Sequence, residues 1–170
     1  MKNMIDDVKI YIKPIRKIDI NDLLRLETDF EAYLKQLSKK PRKPFSLKRQ
    51  AERILKDGFG KNRAFQGFIA RKGNEAVGYI LYHTGYDPDE MQGRVLYIID
   101  LFVTDRARGL GVGSHLMKAV AVECRKIGGI DIYFGVWLKN KSAIKFYKKL
   151  GADWAKEVPF MHWDKSHWKI

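Results

Sequence analysis

The segment Arg106-Ala107-Arg108-Gly109-Leu110-Gly111-Val112-Gly113-Ser114, lying between an apolar run and a helix-patterned stretch, constrains this chain most. Glycines at alternate positions let a backbone turn tightly and approach a ligand that side chains would hold off. With a helix starting directly after them, the amide hydrogens of its first turn converge on one anion, and the helix dipole adds positive field. A phosphate cradle is therefore expected. A glycine-rich turn serving only chain reversal is the plainer alternative, and Arg106 and Arg108 weigh against it. Two better-known cradles fail on residue identity. A dinucleotide fingerprint starting at Gly109 wants glycine where Ser114 stands, and a P-loop wants lysine after its last glycine, where Gly113-Ser114-His115 has none.

Hydrophobic periodicity places the other elements around this turn. Val8 to Ile12 alternates as a first strand that Pro14 ends, and Asp19 to Leu37 repeats at helical spacing, as one long helix or two short ones. Lys39 to Pro44 combines two prolines with four like charges and reads as a loop. Ser46 then caps a helix over Leu47–Lys56, closed by Gly58. Phe65–Arg71 and Ala76–His83 read as strands joined by a Gly73-Asn74 hairpin turn, with a polar loop from Tyr86 to Gly93. The almost unbroken apolar run Val95–Val103, interrupted by Asp100, predicts a central strand covered on both faces. A helix over Gly113–Ile127, a strand over Asp131–Trp137 and a helix over Ser142–Leu150 imply a parallel pair with a helical crossover. The tail from Ala152, with Trp154, Phe160, Trp163 and Trp168, is expected to supply closing strands. The fold class is α/β with a mixed α+β sheet, in one domain spanning residues 1–170.

Composition bounds the chemistry less sharply. Lys and Arg number 33 against 20 Asp and Glu, for a net charge of +13, which attracts nucleic acid, acidic lipid or a phosphorylated cofactor alike. Outside Lys39 to Lys48 the basic residues are spread along the chain, the pattern of a solvated surface. The single cysteine, Cys124, cannot close an internal disulfide and reads as a small buried hydrophobe. His83, His115, His162 and His167 show no metal-ligand spacing, so no metal is expected. With neither a signal-like segment nor a membrane-span run, cytoplasmic residence is expected.

Arg108-Gly109-Leu110-Gly111-Val112-Gly113 resembles the pyrophosphate-binding signature of the GNAT N-acetyltransferases. Asp100-Leu101-Phe102-Val103 looks like the end of that family's fourth strand, and Asn140 to Ala152 like its downstream signature. The resemblance covers Leu96 to Ala152. It implies the GNAT fold: a mostly antiparallel sheet flanked by helices, in which a bulged strand splays from its parallel neighbour. It also implies acetyl-CoA as co-substrate. Leu101, Phe102 and Val103 would line the pantetheine arm, with a backbone amide opposing the oxyanion. Arg108, Gly109, Leu110, Gly111, Val112, Gly113 and Ser114 would hold the pyrophosphate, while Asn140 and Ala143 would also touch the cofactor. Tyr147 would protonate the departing thiolate as the amine attacks directly in a ternary complex.

From the residues alone, Tyr147 shares a helical face with Ala143, Phe146 and Leu150 and reads equally as a core aromatic, and Asn140 as a helix cap. The general base stays open among Asp100, Glu90 and His83. Glu27, Glu90 and Asp100 are the expected substrate-binding carboxylates, suiting a small cationic amine; solvated helix-face charge is the plainer account of residues like Glu27, Asp29 and Glu31. The resemblance leans toward the diamine and polyamine branch, and an aromatic tail suits a homodimer. Two other readings remain: a basic nucleic-acid-binding protein using Lys39 to Lys48, and a GNAT domain that binds acyl-CoA without turnover. The first leaves both motifs unexplained, so neither nucleic acid nor membrane is the expected partner.

Overall fold

A computed structural model describes residues 9–38, 46–87 and 93–155. The chain divides into two compact units, Met1–Gly135 and Val136–Ile170. In the first, five strands lie in sequence order: β1 (Ile10–Pro14), β2 (Gln66–Lys72), β3 (Glu75–Asp87), β4 (Gly93–Val103) and β5 (Asp131–Phe134). β1 to β4 pair antiparallel, and β5 joins β4 in parallel. The sheet is the expected mixed one. Pro14 falls inside β1, paired with Phe68 at the strand's end, rather than beyond it.

Helices α1 (Ile20–Leu37) and α2 (Leu47–Asp57) cover one face of the sheet, and α3 (Val112–Lys126) covers the other. Period-2 alternation divides the strand side chains between two cores. Phe68, Ala70, Ile80, Tyr82, Leu96 and Ile98 pack with Leu116, Val120 and Cys124 on the α3 side. Ile69, Tyr79, Leu81 and Phe102 pack with Leu23, Leu26 and Ile54 on the α1–α2 side. Cys124 is buried as expected, and its thiol donates to the Asp131 carbonyl at 3.4 Å.

Local signals explain the element ends. α1 is one continuous helix after a 3-10 turn at Lys17–Asp19. The Ser46 hydroxyl accepts from the Arg49 amide, and Gly58 caps the end of α2. Gly73, at φ 60°, makes the β2–β3 turn. β3 runs to Asp87, four residues beyond expectation, because Thr84 to Asp87 still find partners in Leu96 to Gly93. β5 stops at Phe134, three residues short of the expected Trp137. The loop at Lys39–Pro44 and most of the aromatic tail, with Phe160, Trp163 and Trp168, lie outside the described residues.

One ion-pair cluster fixes the start of α1. Arg71 of β2 donates to Asp19 Oδ1 at 2.8 Å and to Asp22 Oδ2 at 2.6 Å. Burial alone would raise the Asp19 pKa, but the Arg71 hydrogen bond, the Arg16 amide and the charges of both arginines outweigh it and hold the carboxyl below its ordinary value. Removing Arg71 would leave Asp19, 3% exposed, with only Arg16 to offset its charge. Arg71→Met is expected to lower unfolding free energy by on the order of 3 kcal/mol in urea titration.

Candidate active site

The register between β3 and β4 slips by one residue. Leu81 faces Asp100 but Tyr82 faces Ile98, so Ile99 is the surplus residue of a bulge. Its effect can be followed by parity. Leu96 and Ile98 sit on the α3 side, whereas beyond the bulge Leu101 and Val103 pack toward α3 and Phe102 turns to the α1 side. Asp100, two residues from Phe102 and opposite Leu81, shares their face. On β4's other edge, β5 pairs only with Val95 to Ile98. Among the described residues, no strand lies beside Ile99 to Val103 on that edge. This splay explains why the expectation of a strand covered on both faces fails at its end, where Ile99 is 48% exposed.

The glycine loop follows directly. Gly109 and Gly111 adopt φ of 79° and 78°, a region that side chains disfavour. A Cβ on Gly109 would meet nothing within 4 Å, so the loop opens onto free space there. Gly111 caps α3, and the first intrahelical bond runs from the His115 amide to its carbonyl at 3.0 Å. The amides of Val112, Gly113 and Ser114 precede that bond and are the orphan donors of the helix start. Arg108 pairs with Asp105 at 2.9 Å, donates from Nε to the Val103 carbonyl at 3.2 Å, and lies 4.8 Å over the Tyr33 ring. Arg106 is tied to Glu75. Positive-φ glycines, converging amides and an arginine form a fitting cradle for a pyrophosphate.

On the α1 face, Glu27 is not a solvated helix charge, the plainer of the two readings of this carboxylate. It is 4% exposed, with Leu23 and Leu26 on the same buried stripe. Its Oε2 accepts from Gln50 Nε2 of α2, while Oε1 is buried and makes no hydrogen bond. Burial pushes its pKa up to about 7; Gln50 and Arg53 oppose the rise, and Asp100 and Glu31 add to it. The Tyr79 hydroxyl is likewise buried without a partner, and burial, Asp100, Glu27 and Glu31 hold its pKa well above the ordinary phenol value. Glu27, Asp100 and Tyr79 thus form one electrostatic cluster.

Toward the other end of the same strands, rings stack across the sheet. His83 lies 5.2 Å from Tyr97, and Tyr97 lies 5.5 Å from Tyr133. Tyr133 donates to Asp87 Oδ2 at 2.7 Å, and this bond pushes its pKa up to about 12. Sequence reading named His83 but missed both tyrosines, because cross-strand pairing is invisible until the register is known. Glu90 lies outside the described residues.

In the second unit, α4 (Lys141–Lys149) begins at Asn140, whose Oδ1 accepts from the Ala143 amide and the Ser142 hydroxyl at 3.1 Å each. The capping role is thereby met. Tyr147 is half-buried, its ring 5.2 Å from that of Phe146, and Lys145 and Lys148 are exposed.

The model of the acetyltransferase (GNAT) family matches residues 26–152. The chain belongs to the GNAT family. It is 30% identical over 149 residues to thialysine N-epsilon-acetyltransferase of Mus musculus, spanning 83% of this chain and 82% of that protein. It is also 30% identical over 146 residues to spermidine/spermine N(1)-acetyltransferase-like protein 1 of Homo sapiens, covering 79% of this chain but 19% of that one. An integron cassette protein from the mobile metagenome of V. cholerae shares the fold with a TM-score of 0.76 and 24% identity, over 91% of this chain and 92% of that one.

This GNAT protein is therefore an acetyl-CoA-dependent N-acetyltransferase. Among the described residues, no helix is long and apolar enough to cross a membrane, and no group of three or more His, Cys, Asp or Glu could hold a metal ion. One signal could have found Glu27: Leu23, Leu26, Glu27 and Phe30 occupy a single i, i+3, i+4, i+7 stripe. An acid whose pKa is raised on folding contributes stability that is full below about 4.5 and lost as pH rises through about 7. Glu27→Gln is accordingly expected to match wild type at pH 4 and to exceed it by up to roughly 3 kcal/mol at pH 8, read by thermal unfolding across pH.

Proposed function

We propose that this enzyme acetylates a primary amine of a small cationic molecule, of the polyamine or lysine-like kind. The observation that carries the proposal is the acidic face beside the β4 bulge: Asp100 and Glu31 both act on the buried Glu27 there, with Arg53 opposing them, on a chain whose net charge is +13. Carboxylates gathered against so basic a background favour an ammonium ligand over an anionic one. The names of the mouse and human relatives, which specify thialysine and spermidine or spermine, support the same class. Within it, Asp100 and Glu90 meet the amine, and Glu27, buried behind Asp100, adds negative field.

Coenzyme A supplies the acetyl group as a thioester. The loop amides at Gly109, Leu110, Gly111, Val112, Gly113 and Ser114, aided by Arg108, hold its pyrophosphate. The backbone of Leu101, Phe102 and Val103 along the open β4 edge holds the pantetheine arm and offers an amide hydrogen to the acetyl oxygen. Asn140 and Ala143 at the start of α4 add contacts, and the Tyr147 hydroxyl holds the proton that sulfur takes as it leaves. The proposal treats residues 1–170 as one catalytic domain, cytoplasmic and able to pair as a homodimer.

Calorimetric titration is expected to show acetyl-CoA binding and no comparable binding of a short DNA duplex at physiological salt; the reverse would favour a nucleic-acid role. In a thiol-release assay over an amine panel, polyamines and lysine analogues are expected to turn over. Tyr147→Phe should lower kcat about 10²-fold with acetyl-CoA affinity unchanged. An unaltered kcat would remove Tyr147 from the proton-donor role, and binding without turnover for any amine would leave an acyl-CoA-binding domain.

A further inference from the structure

Two polar atoms on the α1 face are buried without a hydrogen-bond partner: Glu27 Oε1 and the Tyr79 hydroxyl oxygen. Their residues are 4% and 0% exposed. A dry, unpaired group of this kind is costly to bury, and interior polar atoms are ordinarily met by buried water. Gln50 anchors the other carboxylate oxygen, so the Glu27 head group is fixed while Oε1 stays available. The groups facing it come from each packed element: Glu31 on α1, Gln50 and Arg53 on α2, Tyr79 on β3 and Asp100 on β4. The bulge at Ile99 turns Asp100 into this cluster.

We infer that Glu27 is the inner end of a proton relay, in which buried water links its Oε1 to the Tyr79 hydroxyl and to Asp100, draining the proton that the acceptor amine gives up. The inference rests on the proposal that the amine is received on this face. When an alkylammonium is acetylated, nitrogen loses two protons as the N–C bond forms and the C–S bond breaks. Sulfur takes up one. The other is the relay's load: Asp100 receives it, water passes it to Glu27, and the same path returns it to solvent once the product has left. A carboxyl that burial holds near neutrality accepts and surrenders a proton with little free-energy cost at working pH. Glu27 does not touch substrate; it is a positioning residue acting through Asp100 and water.

Two measurements on the full chain test this. Carbon NMR of protein labelled at glutamate carboxyls, with Glu27 assigned from Glu27→Asp, should give a titration midpoint near 7. Asp100→Asn should move that midpoint downward, and Tyr79→Phe should perturb it. In steady-state kinetics the acidic limb of kcat against pH should lie near 7. Glu27→Gln should abolish that limb and lower kcat about 10²-fold with the KM for acetyl-CoA unchanged, and Glu27→Asp should restore part of the rate. A midpoint in the ordinary carboxylate range, indifference to Asp100→Asn, or a Glu27→Gln enzyme that keeps its rate and limb would overturn the relay. Should Glu27→Gln fail to fold, the titrations of the remaining proteins decide. A shifted, Asp100-coupled midpoint in an enzyme inert toward every amine would sink the amine proposal alone, whereas an ordinary midpoint in an active enzyme would sink the relay alone.

Discussion

A single surplus residue in β4, Ile99, is the constraint from which the arrangement of the site follows. A strand has a side-chain period of two, so one extra residue exchanges the faces of everything after it. Upstream, Leu96 and Ile98 belong to the α3 core; downstream, Leu101 and Val103 take over that side. Without the bulge, Asp100 and Phe102 would point into the apolar α3 core, where a carboxylate has no partner. With it, Phe102 packs at a tilt against Tyr79 and Phe30, at 6.3 and 5.5 Å between rings, and Asp100 joins Glu27. The bulge and the early end of β5 act at the same level of the sheet, leaving the backbone from Ile99 to Val103 open on the edge away from β3.

Arg108 couples this strand end to the glycine loop. Its guanidinium reaches Asp105, the Val103 carbonyl and the Tyr33 ring, bringing the turn, the tip of β4 and helix α1 to one side chain. A loop whose glycines adopt positive φ has little intrinsic preference for its bound shape, since glycine loses more freedom on ordering than other residues. Contacts flanking such a loop supply the order that its own residues lack. The same logic applies at the start of α1, which the Arg71 bridge to Asp19 and Asp22 ties to β2.

Much of this was legible in the sequence, for reasons that also mark where legibility ended. The glycine spacing from Gly109 to Gly113 announced its own geometry, because positive φ is a local property of the chain. Ser46 and Asn140 were readable as caps for the same reason. The run Val95–Val103 was read correctly as a strand, and its bulge was expected only through the family resemblance, since a register slip is a relation between two strands. Glu27 was named as a substrate-binding carboxylate, but its burial was not foreseen, although its place in the Leu23, Leu26, Phe30 stripe carried that signal. The ladder of His83, Tyr97 and Tyr133 spans three strands and could not be assembled before their order was known.

The position of Glu27 sets stability against chemistry within one helix. A leucine there would complete the apolar stripe of α1 with no ionisable group to desolvate, and the unpaired Oε1 would disappear with it. The carboxyl instead destabilises the fold increasingly as pH rises from about 4.5 to about 7, because its charged form is better solvated in the unfolded chain. Gln50 and Arg53 temper that cost without removing it, and Asp100 and Glu31 add to it. Strain of this kind, held in place by a surrounding apolar core, is the physical mark of a group positioned for protonation changes rather than for packing.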